Sequence, residues 1–294
     1  MKTIFNGKIV DEKEAVIPIS DKGYFYDFAV YSSLKVIGGK CFFPNYHVER
    51  LFDSAKKLDL NHPFTGTNVS KWIQMVISEN GLTDALLRII LIGDADKNDT
   101  PDNNAKFFIF PVTGVTFYPN SLYTNGAKVI TYKAERRLPE VKSKDLLLGF
   151  MATREAKKAD AIEALLVDTD GNIREGTRSN FYAVRGSTII LPPKKKVLEG
   201  IVSKIIQQLA QGAFTVVEED IPLRNVILST TKDRDSSPPA QNDNRVYDEF
   251  FLSSTLFNIM PIGQIDDYVV KSSFPITKQI MKLYKEYYRK EVLA

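Results

Sequence analysis

The apolar positions of this chain switch repeatedly between two periods. Residues 2–10 alternate and contain Asn6-Gly7, a pair that readily takes positive φ, so they predict a β-hairpin. The run from Ala29 to Ile37 stops at Gly38-Gly39 and restarts at Cys41-Phe42-Phe43, which predicts a second hairpin. From Tyr46 to Leu58 the period lengthens, with Val48, Leu51, Phe52 and Ala55 on one helical stripe. Asn68 to Asn80 repeats it with Val69, Trp72, Ile73, Val76 and Ile77. Ala85 to Ile92 and Ala105 to Val112 are apolar runs of strand length, separated by the polar residues 94–104. The first half therefore predicts a mixed sheet with two helices.

The second half begins with turn chemistry: Thr113-Gly114, Pro119-Asn120-Ser121 and Asn125-Gly126. This stretch is expected to link two domains, placing the boundaries at residues 1–117, a linker at 118–122 and residues 123–294. Beyond it the pattern predicts a strand over Ala127 to Tyr132 and a helix over Asp145 to Lys158. Strands over Ala161–Val167 and Asn180–Val184 flank the turn pair Asp170-Gly171. Gly200 to Gln211 predicts an amphipathic helix with Ile201, Val202, Ile205, Ile206 and Leu209 on one stripe. Residues 229–244, with Ser236-Ser237-Pro238-Pro239 and many charges, are expected to form a mobile surface loop. A strand at Phe250-Phe251-Leu252 and a terminal helix from Ile276 to Arg289 complete a two-domain α+β reading.

Composition narrows the function. With 44% hydrophobic and 26% charged residues, the 294-residue chain has enough apolar surface for large cores. The formal charge is only +3, from 39 basic and 36 acidic residues, which gives no electrostatic case for nucleic acid. Cys41 is the single cysteine, and His47 and His62 are the two histidines, so neither an internal disulfide nor a structural zinc site is expected. No apolar run is long enough for an ordinary membrane-spanning helix, and the N-terminus turns polar at once. A cytoplasmic protein with no membrane or nucleic-acid partner is the expectation.

Five short motifs then stand out in order. They are Tyr46-His47-Val48-Glu49-Arg50-Leu51; Leu138-Pro139-Glu140-Val141-Lys142-Ser143-Lys144; Arg174-Glu175-Gly176-Thr177-Arg178-Ser179-Asn180-Phe181; Leu198-Glu199-Gly200-Ile201-Val202; and Asp248-Glu249-Phe250-Phe251-Leu252-Ser253-Ser254-Thr255. Each alone is ordinary: a surface lysine, a turn carboxylate, a helix cap. Together, in this order, they resemble the class IV (fold type IV) pyridoxal-phosphate enzymes: branched-chain aminotransferases, D-amino acid aminotransferases and aminodeoxychorismate lyase. The resemblance runs across nearly the whole chain.

The resemblance implies a two-domain fold like that of D-amino acid aminotransferase, with pyridoxal 5'-phosphate in the interdomain cleft, and a homodimer. It assigns Lys142 as the amine that holds the cofactor aldehyde and shuttles a proton. That role needs a neutral amine, so a pKa below the ordinary value of about 10.4. It assigns Glu175 as the carboxylate beside the pyridine nitrogen, and Leu198 as the apolar residue against the ring. Gly200, Ile201 and Val202 would offer a helix N-terminus to the phosphate, where free N–H groups and the helix dipole suit an anion. Arg50 and Thr255 would add a forked cation and a hydroxyl. Tyr31 and Arg88 are candidate substrate residues, and Arg136 or Arg137 could also reach a carboxylate.

Some positions depart from the family. Many relatives have Thr at Val202 and Arg at Ser203, and their Gly-Asp-Gly reads Asp27-Phe28-Ala29 here. The strand around Arg88 lacks the Arg-x-His pair that holds the α-carboxylate in D-amino acid aminotransferases. The expected activity is amino transfer between a branched-chain or D-type amino acid and a 2-oxo acid. Aminodeoxychorismate cleavage releasing pyruvate is the alternative, and a non-catalytic relative the second.

Overall fold

The computed structural model describes residues 1–112, 118–231 and 246–293. The chain forms two compact units: Met1–Thr116 with Val141–Asp145 and Val292–Ala294, and Phe117–Glu140 with Leu146–Glu291. Residues Val141–Asp145, which include Lys142, thus group with the N-terminal residues rather than with their neighbours in sequence.

The first unit contains strands β1 (Lys2–Phe5) and β2 (Lys8–Asp11), helix α1 (Lys22–Phe25), and strands β3 (Ala29–Ile37) and β4 (Lys40–Cys41). Helices α2 (Pro44–Lys57) and α3 (Gly66–Glu79) and strands β5 (Ala85–Ile92) and β6 (Lys106–Val112) complete it. The sheet order is β2-β1-β6-β5-β3-β4. Asn6 and Gly7 both have positive φ, as the β1–β2 turn requires. Pro44 opens α2, where a missing N–H costs nothing. The Thr65 hydroxyl caps α3 by accepting from Asn68 N. Leu51 of α2, Ile73 of α3 and Leu87 of β5 meet in one core, fully buried. Each such side chain contributes roughly 1.5–3 kcal/mol of burial.

The second unit begins with helix α4 (Asn120–Asn125) inside the segment expected to be linker. Tyr118, Leu122 and Tyr123 pack against the core of this unit, so apolar burial overrides the turn-like composition. Strand β7 (Ala127–Lys133), helix α5 (Leu147–Lys158) and strands β8 (Glu163–Val167), β9 (Asn172–Gly176), β10 (Asn180–Arg185) and β11 (Thr188–Leu191) follow. Then come α6 (Ile201–Ala210), β12 (Thr215–Glu218), β13 (Ile221–Pro222), α7 (Leu223–Thr231), β14 (Glu249–Ser254), β15 (Asn258–Ile265), β16 (Tyr268–Val269) and α8 (Pro275–Leu293). The helix α7 covers the first residues of the expected mobile loop, and its remainder, residues 232–244, lies outside the described residues. The sheet runs β12-β11-β10-β14-β15-β7-β8-β9-β13, and a further pairing of β9 with β10 closes a ring. That closure is the single pair Asn180–Glu175. Among the described residues no helix is long and apolar enough to cross a membrane.

The start of α8 shows how buried polar groups hold this unit. Glu249, 1% exposed, accepts from Ile276 N at 2.9 Å, Thr277 N at 2.8 Å and Thr277 Oγ1 at 2.7 Å. A carboxylate at a helix N-terminus satisfies donors that the helix itself leaves open. Glu249→Ala is expected to lower stability by about 2–4 kcal/mol, because these donors stay buried without an acceptor. Urea unfolding checks this; an unchanged midpoint would refute it.

Candidate active site

In the first unit the site grows from β3. Its side chains alternate, so Tyr31 and Ser33 share one face while Ser32 and Leu34 point to the other. Ser33 lies opposite Arg88 in the β3–β5 register, which puts Arg88 on the Tyr31 face as a diagonal neighbour. The Arg88 guanidinium sits 5.5 Å from the centre of the Tyr31 ring. Arg88 Nε is buried and has no hydrogen-bond partner among the described residues. Lys142 arrives from the segment Val141–Asp145, which runs antiparallel beside the start of β3. Tyr31 N donates to Lys142 O at 3.0 Å, and Lys144 N donates to Ala29 O at 2.9 Å. Lys142 N donates to Ser54 Oγ of α2 at 3.1 Å. The half-buried Lys142 then places its Nζ 4.9 Å from the Tyr31 ring centre. Lys142 and Arg88 thus both approach the ring of Tyr31.

On the opposite face, Ser32 meets α2. His47, Arg50, Leu51 and Ser54 lie at helical spacing on that helix. Ser32 Oγ is 2.8 Å from His47 Nδ1, and Arg50 Nη2 donates to the same oxygen at 3.1 Å. Burial holds the His47 pKa well below its ordinary value, and the Arg50 and Lys142 charges push it the same way. Cys41 is no nucleophile: burial raises its thiol to about 12.

In the second unit the site is built on the β9–β10 turn. Glu175, 5% exposed, stands near the end of β9. Its Oε2 accepts from Leu198 N at 3.2 Å, and Arg136 Nη1 lies 3.4 Å from its Oε1. Arg136, one of the two arginines that sequence suggested could reach a carboxylate, is therefore the cation beside the expected ring-nitrogen carboxylate. The turn is anchored from beneath by Glu163, which is fully buried. Glu163 Oε1 accepts from Thr177 N at 3.1 Å and Thr177 Oγ1 at 2.5 Å, and Oε2 from Ser179 Oγ at 2.9 Å. Asn180 opens β10 and donates through Nδ2 to Leu198 O at 2.6 Å. Glu175 and Asn180 thus grip Leu198 from its N–H and its carbonyl.

Gly200 caps α6 with no side-chain hydrogen bond, so the first-turn N–H groups of Ile201 and Val202 keep their open valence. A Cβ at position 200 would lie 2.2 Å from Asn180 Oδ1, so only glycine fits against that amide. Ser203 is buried beside Tyr182, whose hydroxyl meets Ser253 Oγ at 2.9 Å. Burial pushes the Tyr182 hydroxyl up to about 12. Thr255 lies half-buried in the turn between β14 and β15, two residues past Ser253, which pairs with Asn180. Among the described residues no hydrogen bond joins Thr255 to α6.

The structure therefore gathers Lys142, Tyr31 and Arg88 in the first unit, with Arg50 on the other face of β3. It gathers Glu175, Leu198, Gly200, Ile201 and Val202 in the second. Sequence reasoning passed over Asn180, although it lies inside a quoted motif, and over Ser32, His47 and Glu163. For Glu163 there was no local signal, since a carboxylate in a buried strand looks like any strand charge. The uncapped α6 terminus suits a phosphate, and the flanked Tyr31 ring with the orphaned Arg88 Nε suits a carboxylate.

The family model for amino-transferase class IV matches residues 29–265. A relative from Methanocaldococcus jannaschii, described as a putative branched-chain-amino-acid aminotransferase, is 30% identical over 97% of this chain and 96% of its own. The D-alanine aminotransferase of Bacillus licheniformis is 27% identical over 95% of this chain and 94% of its own. Among solved structures, the branched-chain amino acid aminotransferase from Escherichia coli superposes with a TM-score of 0.80. The match covers 98% of this chain and 94% of that one at 21% identity, a likeness of fold. The chain belongs to the class IV aminotransferases, a family of pyridoxal-phosphate-dependent enzymes, and is an aminotransferase.

The buried histidine gives a pH dependence. The unfolded chain takes up a proton at His47 near 6.5, whereas the folded chain does so only at lower pH. His62 shifts in the same direction through burial. Below about pH 6.5 the unfolded state therefore binds more protons, and stability falls as pH drops. His47 alone contributes a slope of up to about 1.4 kcal/mol per pH unit. Urea unfolding between pH 7.5 and pH 5.5 checks this: His47→Asn should flatten the fall, and an equal fall in that variant would refute it.

Proposed function

We propose that this chain transfers an amino group from a branched-chain type amino acid to a 2-oxo acid, using pyridoxal 5'-phosphate. When bound, the cofactor supplies an aldehyde and an electron-withdrawing ring. Lys142 Nζ would hold the aldehyde and, as a free amine, would accept the proton from the substrate α-carbon and deliver it to the cofactor side rather than back to that carbon. Its backbone is fixed by Ser54, Ala29 and Tyr31, which supports a defined reach for the amine. Glu175 would serve the ring nitrogen and keep it protonated; the Leu198 N–H and Arg136 hold that carboxylate in one orientation. Leu198 would supply the apolar surface against the ring. Arg50, Gly200, Ile201, Val202 and Thr255 would hold the phosphate, with backbone donors at the start of α6 as the core of that set.

The observation that carries the substrate reading is Arg88 beside Tyr31, with its buried Nε. A cation on an aromatic wall accepts apolar side chains and a carboxylate at the same place. The chain has no histidine beyond His62, so the Arg-x-His carboxylate clamp of the D-amino acid enzymes has no counterpart here. The lyase alternative has less support among the relatives. We infer a cytoplasmic homodimer. Exposed apolar side chains in each unit, Phe25 at 73% and Phe150 at 64%, support association.

The purified protein is expected to be yellow, and Lys142→Ala to abolish its absorbance and at least 10⁴-fold of its activity, roughly 5.5 kcal/mol of barrier. A colourless wild-type protein that stays so with added cofactor would refute this. A spectroscopic screen of L- and D-amino acids and aminodeoxychorismate tests the substrate. Conversion of the cofactor to its amine form by L-leucine, L-valine or L-isoleucine is expected. Conversion by D-alanine alone, or pyruvate release without amine transfer, would overturn the substrate assignment. Arg88→Ala should raise KM for a dicarboxylic 2-oxo acid about tenfold, the loss of one charge-assisted contact.

A further inference from the structure

Ser32 and His47 have no part in the chemistry above, yet both are buried beside Arg50. Ser32 is 0% exposed and His47 1%. The Ser32 hydroxyl touches two groups, Arg50 Nη2 at 3.1 Å and His47 Nδ1 at 2.8 Å. A guanidinium only donates, so Ser32 Oγ accepts from Arg50. The single hydroxyl proton must then go to His47 Nδ1. Were Nδ1 itself protonated, that hydroxyl proton would be buried with no acceptor among the described residues. We propose that Ser32 and a neutral His47, protonated on Nε2, form a directional hydrogen-bond chain that positions the Arg50 guanidinium for the cofactor phosphate.

The inference rests on the phosphate role proposed for Arg50 and adds how that role is fulfilled. An arginine side chain has many rotamers, and tying Nη2 fixes the guanidinium plane and so the direction of its other N–H groups. The surroundings agree with the protonation state. Arg50 and Lys142 both disfavour a charged imidazole at this depth, and burial does so more strongly. Ser32 and His47 act through Arg50, so they are positioning residues.

Two measurements test the proposal. The chain has two histidines, so ¹⁵N-histidine labelling of holoenzyme carrying His62→Asn leaves one imidazole to observe. A neutral ring with bare Nδ1 from pH 6 to pH 8 is expected; a proton on Nδ1 overturns the chain's direction and the proposal. The second compares binding of pyridoxal 5'-phosphate and of pyridoxal, which lacks the phosphate, to cofactor-stripped protein. Ser32→Ala should weaken the phosphorylated form at least about fivefold and leave pyridoxal within about twofold, a selectivity a general packing defect would not produce. His47→Asn, which keeps an acceptor near the Nδ1 position, should bind like wild type, while His47→Leu should match Ser32→Ala. The double variant should be no weaker than either single one. A wild-type chain that does not distinguish the two forms refutes the phosphate role of Arg50 together with this proposal. Discrimination that is intact in wild type and unchanged in Ser32→Ala refutes this proposal alone.

Discussion

One buried carboxylate sets the geometry of the second unit. Glu163 gathers two hydroxyls and a backbone N–H of the β9–β10 turn at a place water does not reach. Leaving such donors unmet costs about 1–3 kcal/mol each, so the turn has one low-energy shape. That shape matters because the strand ring closes there through a single residue pair, Glu175 with Asn180. A closure with so little ladder would drift if only strand pairing held it. With the turn pinned from below, Glu175 and Asn180 become fixed points, and Leu198 is gripped between them by its own peptide groups. The direction in which α6 begins follows from that grip.

The first unit solves a different problem with alternation. A strand buries one face and offers the other, so adjacent residues of β3 can serve separate ends. Tyr31 faces Arg88 and the Lys142 amine, whereas Ser32 faces α2 and Arg50. A slip of one residue in the β3–β5 register would exchange the two faces and destroy both arrangements. The register is held along the whole of β3, from Ala29 opposite Ile92 to Val36 opposite Ala85. The short segment with Lys142 adds to the strand's other edge by backbone hydrogen bonds, so the lysine inherits the strand's position.

Much of this was legible in the sequence because it depends on local pattern. Helices α2, α3 and α6 and strands β3, β5 and β6 follow their apolar periods to within a few residues. The short strand β9, which carries Glu175, was not legible, since Asn172 to Gly176 has no alternation: all five residues are buried. Helix α4 was hidden by turn-favouring residues whose aromatic neighbours bury it. The motif residues were readable as a set, but their supports were not. Glu163, Ser32 and His47 act through burial and long-range pairing, with Glu163 and Ser179 sixteen residues apart and Ser32 and His47 fifteen. No window along the chain shows that. The placement of Lys142 with the first unit was equally invisible, because it depends on which strand edge its segment joins.

A hydroxyl at position 202 would give a phosphate one charge-assisted hydrogen bond, worth about 1.5–3 kcal/mol. Val202 forgoes it. Val202 is buried and contributes apolar packing in exchange, of similar size. Ser203 is buried beside Tyr182 and accepts from Gln207 Nε2 at 3.4 Å, and Tyr182 is tied to Ser253 of β14. Asn180 fixes the residues just ahead of α6. Backbone donors held this rigidly need no reorganisation to receive an anion, and pre-set dipoles are the larger part of such a site's strength. In the phosphate role proposed for this terminus, the loss of one side-chain contact leaves the backbone donors of α6 as the main source of affinity.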